Sequence, residues 1–168
     1  MKRLIKILML LAIVSGSVNL SSGQNPKKAA RQAAIKNMVD STHFYFSADY
    51  AIPQRGGMKH LTSIYDVKIT KDSIIAYLPY YGQAYMAPDP GTTEGGIKFT
   101  STNFSYKVNP GKKGGWEIII KPKDHNITDW RDVQQMILNI SPDGYASLYV
   151  LSSNRDQISF QGNIVAKE

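Results

Sequence analysis

Residues 133–165, VQQMILNISPDGYASLYVLSSNRDQISFQGNIV, carry the clearest structural signal in the chain. Apolar and polar side chains alternate with a period of two, which in an extended strand sends them to opposite faces. A Pro142-Asp143-Gly144 turn and a polar segment at 152–157 divide the stretch into three runs. The pattern predicts three consecutive antiparallel strands at 133–140, 145–151 and 158–165.

The same alternation extends upstream to residue 43, with short polar loops and no helical pattern between the strands. Leu61, Tyr65, Val67 and Ile69 share one predicted face, and Lys71-Asp72 is a short turn into the next strand. About eight strands joined in this way favour an antiparallel sheet that curls into a sandwich or an open barrel. The remaining strands are predicted at 43–50, 73–81, 97–108 with a bend, and 116–121 after a polar loop at 109–115.

The strand pattern also predicts where three aromatic side chains lie in this mainly β fold. Tyr77 alternates with Ile75 and is predicted to lie in the core, because strands favour tyrosine. Trp116 is expected to pack in the core from its strand, and Trp130 to cover one end of the barrel.

Residues 26–39, PKKAARQAAIKNMV, are the one segment that combines good helix formers with helical spacing. Pro26 suits the first helical position, where its missing N–H costs nothing. Ala30, Ala34, Ile35 and Met38 form a narrow apolar stripe, which we expect to pack against the domain. A basic helix of this kind can also lie on an anionic membrane, but this apolar face is weak.

The first 23 residues, MKRLIKILMLLAIVSGSVNLSSG, have the basic start, short apolar run and small-residue exit of a secretory signal peptide. Ser21 and Gly23 predict a cut that leaves Gln24 as the new N-terminus. The alternative is an uncleaved anchor, but the run at 4–14 is far shorter than the ~20 apolar residues that span a bilayer. We expect residues 24–168 to form one periplasmic or secreted domain with no further transmembrane span.

Composition excludes several classes of chemistry. The chain has no cysteine, which removes disulfides, cysteine nucleophiles, thiolate metal sites and the lipid-bearing cysteine of a lipoprotein. Without the predicted leader, 17 basic residues face 13 acidic ones, a net charge of about +4. This mild basicity and the predicted export argue against nucleic acid as a partner, and no cofactor is implied.

Motifs for catalysis are missing from the sequence. There is no HExxH, no GxSxG elbow and no P-loop. His125, with Asp124 and Asp129 nearby, is compatible with a metal or acid–base cluster, although a solvated loop explains the same residues more simply. No pair of carboxylates is singled out for glycoside hydrolysis.

Four of the ten tyrosines fall between Tyr77 and Tyr85. A tyrosine combines an apolar face with a hydroxyl, which suits sugar rings and protein surfaces. Tyr80, Tyr81 and Tyr85 follow a strand end in a segment with proline and glycine, so we assign them as candidate binding residues. The alternative is that all three are framework residues.

Arg155, in the 152–157 turn, is the fourth candidate binding residue. Its guanidinium is able to bind an anion. The alternative is structural, with hydrogen bonds to local carbonyl groups or to Asp156.

Five stretches of the chain resemble, in order, stretches of one known family. They are YLPYYGQAY at 77–85, GGIKF at 95–99, GGWEI at 114–118, DGYA at 143–146 and SNRDQISFQG at 153–162. The family that they resemble is the secreted Bacteroidetes group catalogued as domain of unknown function four-two-five-one. The resemblance implies an exported single domain of a Gram-negative bacterium, without assigned activity, and carries over no site residues. Many relatives look like lipoproteins, so the absence of cysteine here favours a free soluble form.

The sequence leads to one principal hypothesis about function. The protein is expected to be an exported, non-enzymatic β-domain that binds a ligand or an envelope partner through the tyrosine-rich loop. The alternative is a cryptic carbohydrate- or peptidoglycan-acting hydrolase, and a third possibility is an envelope accessory domain without a small-molecule site. A filled interior favours protein contact, whereas an open apolar cavity favours a lipid-like ligand.

Overall fold

Ten β-strands and one α-helix form the part of the chain that the computed structural model describes, residues 26–86, 95–124, 126, 128–129 and 131–166. The fold is mainly β, as predicted, with ten strands instead of about eight. The predicted signal segment, His125 and Trp130 lie outside the described residues. In chain order the elements are α1 (Pro26–Ser41), β1 (Phe44–Pro53), β2 (Lys59–His60), β3 (Asp66–Ile69), β4 (Ile74–Leu78), β5 (Ile97–Ser101), β6 (Phe104–Pro110), β7 (Trp116–Pro122), β8 (Gln135–Ile140), β9 (Tyr145–Leu151) and β10 (Ile158–Val165).

The C-terminal meander of β8, β9 and β10 confirms the strongest sequence prediction. Leu138 pairs with Leu148, and Leu148 pairs with Phe160 on the next strand. All three side chains are almost completely buried, so the alternating pattern places one apolar row across three strands on the inner face.

All strand pairs in the sheet are antiparallel. The strand order is β5-β4-β3-β1-β10-β9-β8-β7-β6, with β2 paired to β1 outside this path. The two end strands, β5 and β6, are consecutive in the chain and joined by residues 102 and 103 alone. The ends of the sheet therefore meet, and the sheet forms a nearly closed barrel.

The junction between β5 and β6 is held by Asp124, which follows β7. Its Oδ1 accepts a hydrogen bond from Ser101 Oγ at 2.6 Å, and its Oδ2 accepts from the backbone N–H of Thr102 (3.2 Å) and of Asn103 (3.4 Å). The predicted single bent strand at 97–108 is therefore wrong. The chain breaks at 102–103 because a carboxylate, instead of a neighbouring strand, satisfies the donors there.

The prediction that Tyr77 is a core residue is also wrong. Ile74, Ala76 and Leu78 face the interior, while Ile75 and Tyr77 face outward with 40% and 46% of their surface exposed. Apolar side chains occur at both odd and even positions of β4, so the alternating pattern alone could not show which side of this strand faces the interior. Trp116 is half-buried and packs against the core, as expected.

Helix α1 packs on the domain through Ile35 and Val39, which are buried, and through Met38, which is half-buried. Ala30 and Ala34 are exposed, so the contact stripe lies further toward the C-terminus than predicted. Gln32 Nε2 donates to Asp143 Oδ1 at 3.1 Å, which ties the helix to the β8–β9 turn. Among the described residues, no helix has the length and hydropathy needed to cross a bilayer.

Candidate functional site

The segment 79–86, here called the tyrosine loop, follows β4 and lies against the 152–157 turn. Tyr85 N–H donates to Asn154 O at 2.7 Å, and Asp156 N–H donates to Gln83 O at 2.9 Å. Ala84 and Arg155 form an isolated antiparallel bridge between these bonds. The loop is thus fastened by main-chain hydrogen bonds to a turn about 70 residues away in sequence.

The side chains of Tyr80 and Arg155 also contact each other. The Arg155 guanidinium carbon lies 4.5 Å from the centre of the Tyr80 ring, within the range of a cation–π contact. Arg155 is 2% exposed and donates to the carbonyl oxygens of Arg131 (2.8 Å) and Gly95 (3.4 Å). Both acceptors lie far from the 152–157 turn in sequence, so these bonds are neither the local carbonyl bonds nor the bond to Asp156 considered for this arginine. Burial lowers the pKa of Arg155, and these partners hold its charge inside the protein.

The Tyr80 hydroxyl adds a second link between the loop and the turn. It lies 3.1 Å from Gln83 O and 3.0 Å from Asp156 O, and it shares its proton between these two acceptors. Burial raises the pKa of Tyr80 to about 12. The phenol therefore stays neutral, and remains a hydrogen-bond donor, well into the alkaline range.

The Asp156 carboxylate is the hydrogen-bond acceptor that holds the exposed end of the tyrosine loop. Its carboxylate accepts a hydrogen bond from the Tyr85 hydroxyl and another from Gln83 N–H at 3.2 Å. The hydrogen bond from Tyr85 is the main reason that the pKa of Asp156 lies below its usual value, and the same bond raises the pKa of Tyr85. Asp156 itself is 3% exposed.

The loop leaves a small apolar surface in solvent. The Tyr85 side chain is 62% exposed and that of Met86 is 40% exposed. Tyr81 is half-buried against the core, and Lys59 Nζ lies 5.2 Å from the centre of its ring. Of the three candidate tyrosines, Tyr85 alone presents most of its ring to solvent.

The structure therefore brings Tyr80, Tyr85 and Arg155 into one cluster, while Tyr81 contacts Lys59 of β2. The sequence did not indicate the role of Asp156, which accepts hydrogen bonds from the loop although it lies 76 positions after Tyr80. The polar turn at 152–157 was a visible signal. Nothing local in the sequence indicated which segment it would contact.

A second feature that sequence analysis missed is a groove on the outer face of the sheet, here called the outer groove. It has a volume of about 980 Å³. Gln161, Ser147, Asn139 and Glu117 lie in register across β10, β9, β8 and β7 and line its floor. The alternation marked each of them as outward-facing, but their alignment depends on the strand register.

The smaller cavity beside the β5–β6 junction has a volume of about 260 Å³ and contains the aspartates near His125. Asp124 is used in the junction, and Asp129 pairs with Arg131, whose hydrogen bond lowers the pKa of that carboxyl. In the described part of the chain, no group of three or more His, Cys, Asp or Glu is placed to hold a metal ion. The predicted alternative at His125 lies outside that part.

Comparison with known proteins supports the family and the fold. A family profile described as Domain of unknown function (DUF4251) matches residues 26–164. The 1.95 Å crystal structure of a DUF4251 family protein from Bacteroides eggerthii DSM 20697 is similar, with a TM-score of 0.59 and 16% sequence identity. That match covers 83% of this chain and 91% of the other. No curated protein matches the chain.

Proposed function

The chain belongs to the DUF4251 family of domains of unknown function, and we propose that it is an exported, non-enzymatic β-domain that binds an envelope protein through the tyrosine loop. The observation that supports this proposal is that Tyr85 is exposed to solvent and at the same time held by hydrogen bonds. Its ring is 62% exposed, while its backbone N–H is held by Asn154 and its hydroxyl by Asp156.

Such a ring suits a protein contact for an energetic reason. Binding usually costs free energy because interface side chains lose rotamer freedom. The two attachments of Tyr85 already restrict its ring, and the neighbouring Met86 extends the apolar surface. Tyrosine and methionine are both enriched in protein interfaces.

The interior of the barrel also favours a protein partner over a lipid-like ligand. Large side chains fill it, and those of Phe44, Phe46 and Phe160 are less than 2% exposed. A lipid-binding barrel would keep this volume open for its ligand. Partner contact through the outer surface is the function that fits such a packed interior.

Export is part of the proposal and rests on the sequence of residues 1–23, which lie outside the described residues. We propose a periplasmic or secreted protein whose mature chain begins at or near Gln24. N-terminal sequencing of the exported form tests this cut.

The hydrolase alternative has little geometric support at the outer groove. Two carboxylates, Asp49 and Glu117, line this groove, but they lie on β1 and β7, four strand spacings apart in the sheet. Three strands, β10, β9 and β8, lie between them. Glycosidase carboxylates face each other across roughly 5 to 9.5 Å, so two carboxylates at opposite ends of a four-spacing row are a poor match for glycoside hydrolysis.

In-cell photocrosslinking in the native host tests the binding proposal. A benzophenone amino acid at position 85 should give a discrete adduct with an envelope protein. The same probe at position 77, a tyrosine that is also on the outer surface, should not give that adduct. Tyr85→Ala should weaken binding of the identified protein by roughly 1 to 3 kcal/mol and leave the fold intact.

The matched control for affinity is Tyr77→Ala, measured against the same purified partner. Equal adducts at positions 85 and 77, or equal losses of affinity for the two variants, would show that Tyr85 is not the contact. Large destabilisation by Tyr85→Ala would instead make the ring part of the framework.

A further inference from the structure

The outer groove is separate from the tyrosine loop and has a different chemistry. Its floor is the outward side of β7 to β10, where Glu117, Asn139, Ser147 and Gln161 form one cross-strand row. Tyr50 continues the row on β1, where it pairs with Gln161. From β1 to β7 the floor extends over about 19 Å, at about 4.8 Å between neighbouring strands.

The centre of this row has unused hydrogen-bonding capacity. Within the described residues, no hydrogen bond involves the side chains of Asn139, Ser147 or Gln161. An amide provides two donors and an acceptor with two lone pairs, and a hydroxyl provides one donor and two lone pairs. The three side chains therefore present an alternating set of donors and acceptors along the groove floor.

Tyrosine rings flank the row. Tyr145 and Tyr149 lie two residues to either side of Ser147 on β9, on the same face, and are 62% and 44% exposed. A flat apolar surface next to uncharged polar groups matches the two kinds of surface on a sugar ring, its C–H face and its hydroxyl groups.

The charged side chains that line the groove lie at its ends, outside the row of Asn139, Ser147 and Gln161. Asp49 accepts a hydrogen bond from Asn163 Nδ2 at 3.1 Å, and Glu117 accepts from Asn109 Nδ2 at 3.1 Å. Two cations lie at its margin: Lys112 lines the groove in the β6–β7 loop, and the guanidinium carbon of Arg31 lies 5.7 Å from the centre of the Tyr145 ring. A polyanion would be repelled by the two carboxylates on the floor, whereas an uncharged ligand meets no repulsion.

Other ligand classes fit the groove less well. A peptide that adds to a sheet needs a free strand edge, but β8, β9 and β10 are each paired on both sides. A lipid chain would bury the polar centre of the row without hydrogen bonds, which is costly.

We propose that the outer groove binds a neutral oligosaccharide of several sugar units. The sugar rings pack against Tyr145 and Tyr149, and their hydroxyl groups exchange hydrogen bonds with Asn139, Ser147 and Gln161. This site is independent of the partner contact proposed for Tyr85.

The test uses the mature chain and an array of neutral glucans, mannans, galactans and xylans, followed by titration of a hexasaccharide that binds. We expect saturable binding, with NMR shift changes confined to β7–β10 and Tyr50. Tyr149→Ala should weaken binding at least about fivefold, and Tyr149→Phe, which keeps the ring, should retain most of the affinity. Asn139→Ala should also weaken binding, through lost hydrogen bonds.

The control variant is Tyr77→Ala, because Tyr77 has nearly the same exposure, 46%, on the other half of the sheet. Tyr85→Ala is the second control and separates this site from the partner contact. The proposal is overturned if no neutral glycan binds, if acidic glycans alone bind, or if the shift changes map to another face. Equal losses for Tyr149→Ala and Tyr77→Ala would also overturn it.

Discussion

At the scale of single residues, Tyr80 determines how the tyrosine loop is attached. Its ring packs on the buried guanidinium of Arg155, and its hydroxyl reaches the carbonyl groups of Gln83 and Asp156. Cation–π contacts contribute about 0.5 to 2 kcal/mol, with the larger values where water is excluded. Tyr80 is therefore part of the framework that leaves Tyr85 at the surface.

Tyr80→Phe tests this role because it keeps the ring and removes the hydroxyl. We expect a loss of about 0.5 to 1.5 kcal/mol in the free energy of unfolding, the usual net value of one hydrogen bond. Tyr81→Phe is the matched control, since Tyr81 is also half-buried and packs on the core. Urea unfolding of both variants provides the measurement, and equal losses would contradict the proposed attachment.

At the scale of elements, helix α1 approaches the β8–β9 turn most closely at Gly144. Gly144 in that turn has a φ of +87°, and a Cβ added there would lie 2.6 Å from Ile35 Cδ1. Glycine thus serves both the turn conformation and the approach of the helix. The Pro142-Asp143-Gly144 motif, recognisable as a turn, is also the docking point of α1.

Ile35→Ala should cost about 2 to 4 kcal/mol of stability, because it removes a buried aliphatic side chain and leaves a cavity under α1. Ile64→Ala is the matched control, since Ile64 is 77% exposed. The control should change stability by less than about 0.5 kcal/mol. Urea unfolding monitored by circular dichroism measures both, and a small loss for Ile35→Ala would show that α1 is weakly docked.

At the scale of the whole molecule, two partly buried tyrosines, Tyr80 in the tyrosine loop and Tyr106 on β6, make global stability sensitive to alkaline pH. Burial raises the pKa of Tyr80 and of Tyr106 to about 12, from an ordinary value of 10.0. The unfolded chain therefore loses these protons before the folded chain does. The resulting stabilisation is complete below pH 10 and is lost as pH rises toward 12.

The free energy of unfolding should fall between pH 10 and pH 12. The double variant Tyr80→Phe/Tyr106→Phe should show a shallower fall, because neither phenylalanine titrates. Every other titratable group is the same in both proteins, so the difference between the two slopes isolates the two tyrosines. Identical slopes in urea unfolding series would contradict the predicted contribution.

The sequence by itself determined the features that depend on neighbours in the chain. The alternation in residues 145–151 and 158–165 gave β9 and β10 with their observed bounds, because side chains in a strand change face at every residue. The helix at 26–39 and the Lys71-Asp72 turn were recognisable for the same reason. Absence of cysteine likewise meant that apolar burial had to stabilise the domain.

Tertiary structure alone decided which distant segments meet. The inner face of β4, the break at 102–103 and the attachment of Tyr80 each depend on partners far along the chain, such as Asp124 and Asp156. The aligned row of the outer groove likewise depends on the register of four strands. Local periodicity groups alternate side chains of a strand on one face, but the packing of the whole barrel decides which face is inner and which side chains become neighbours on it.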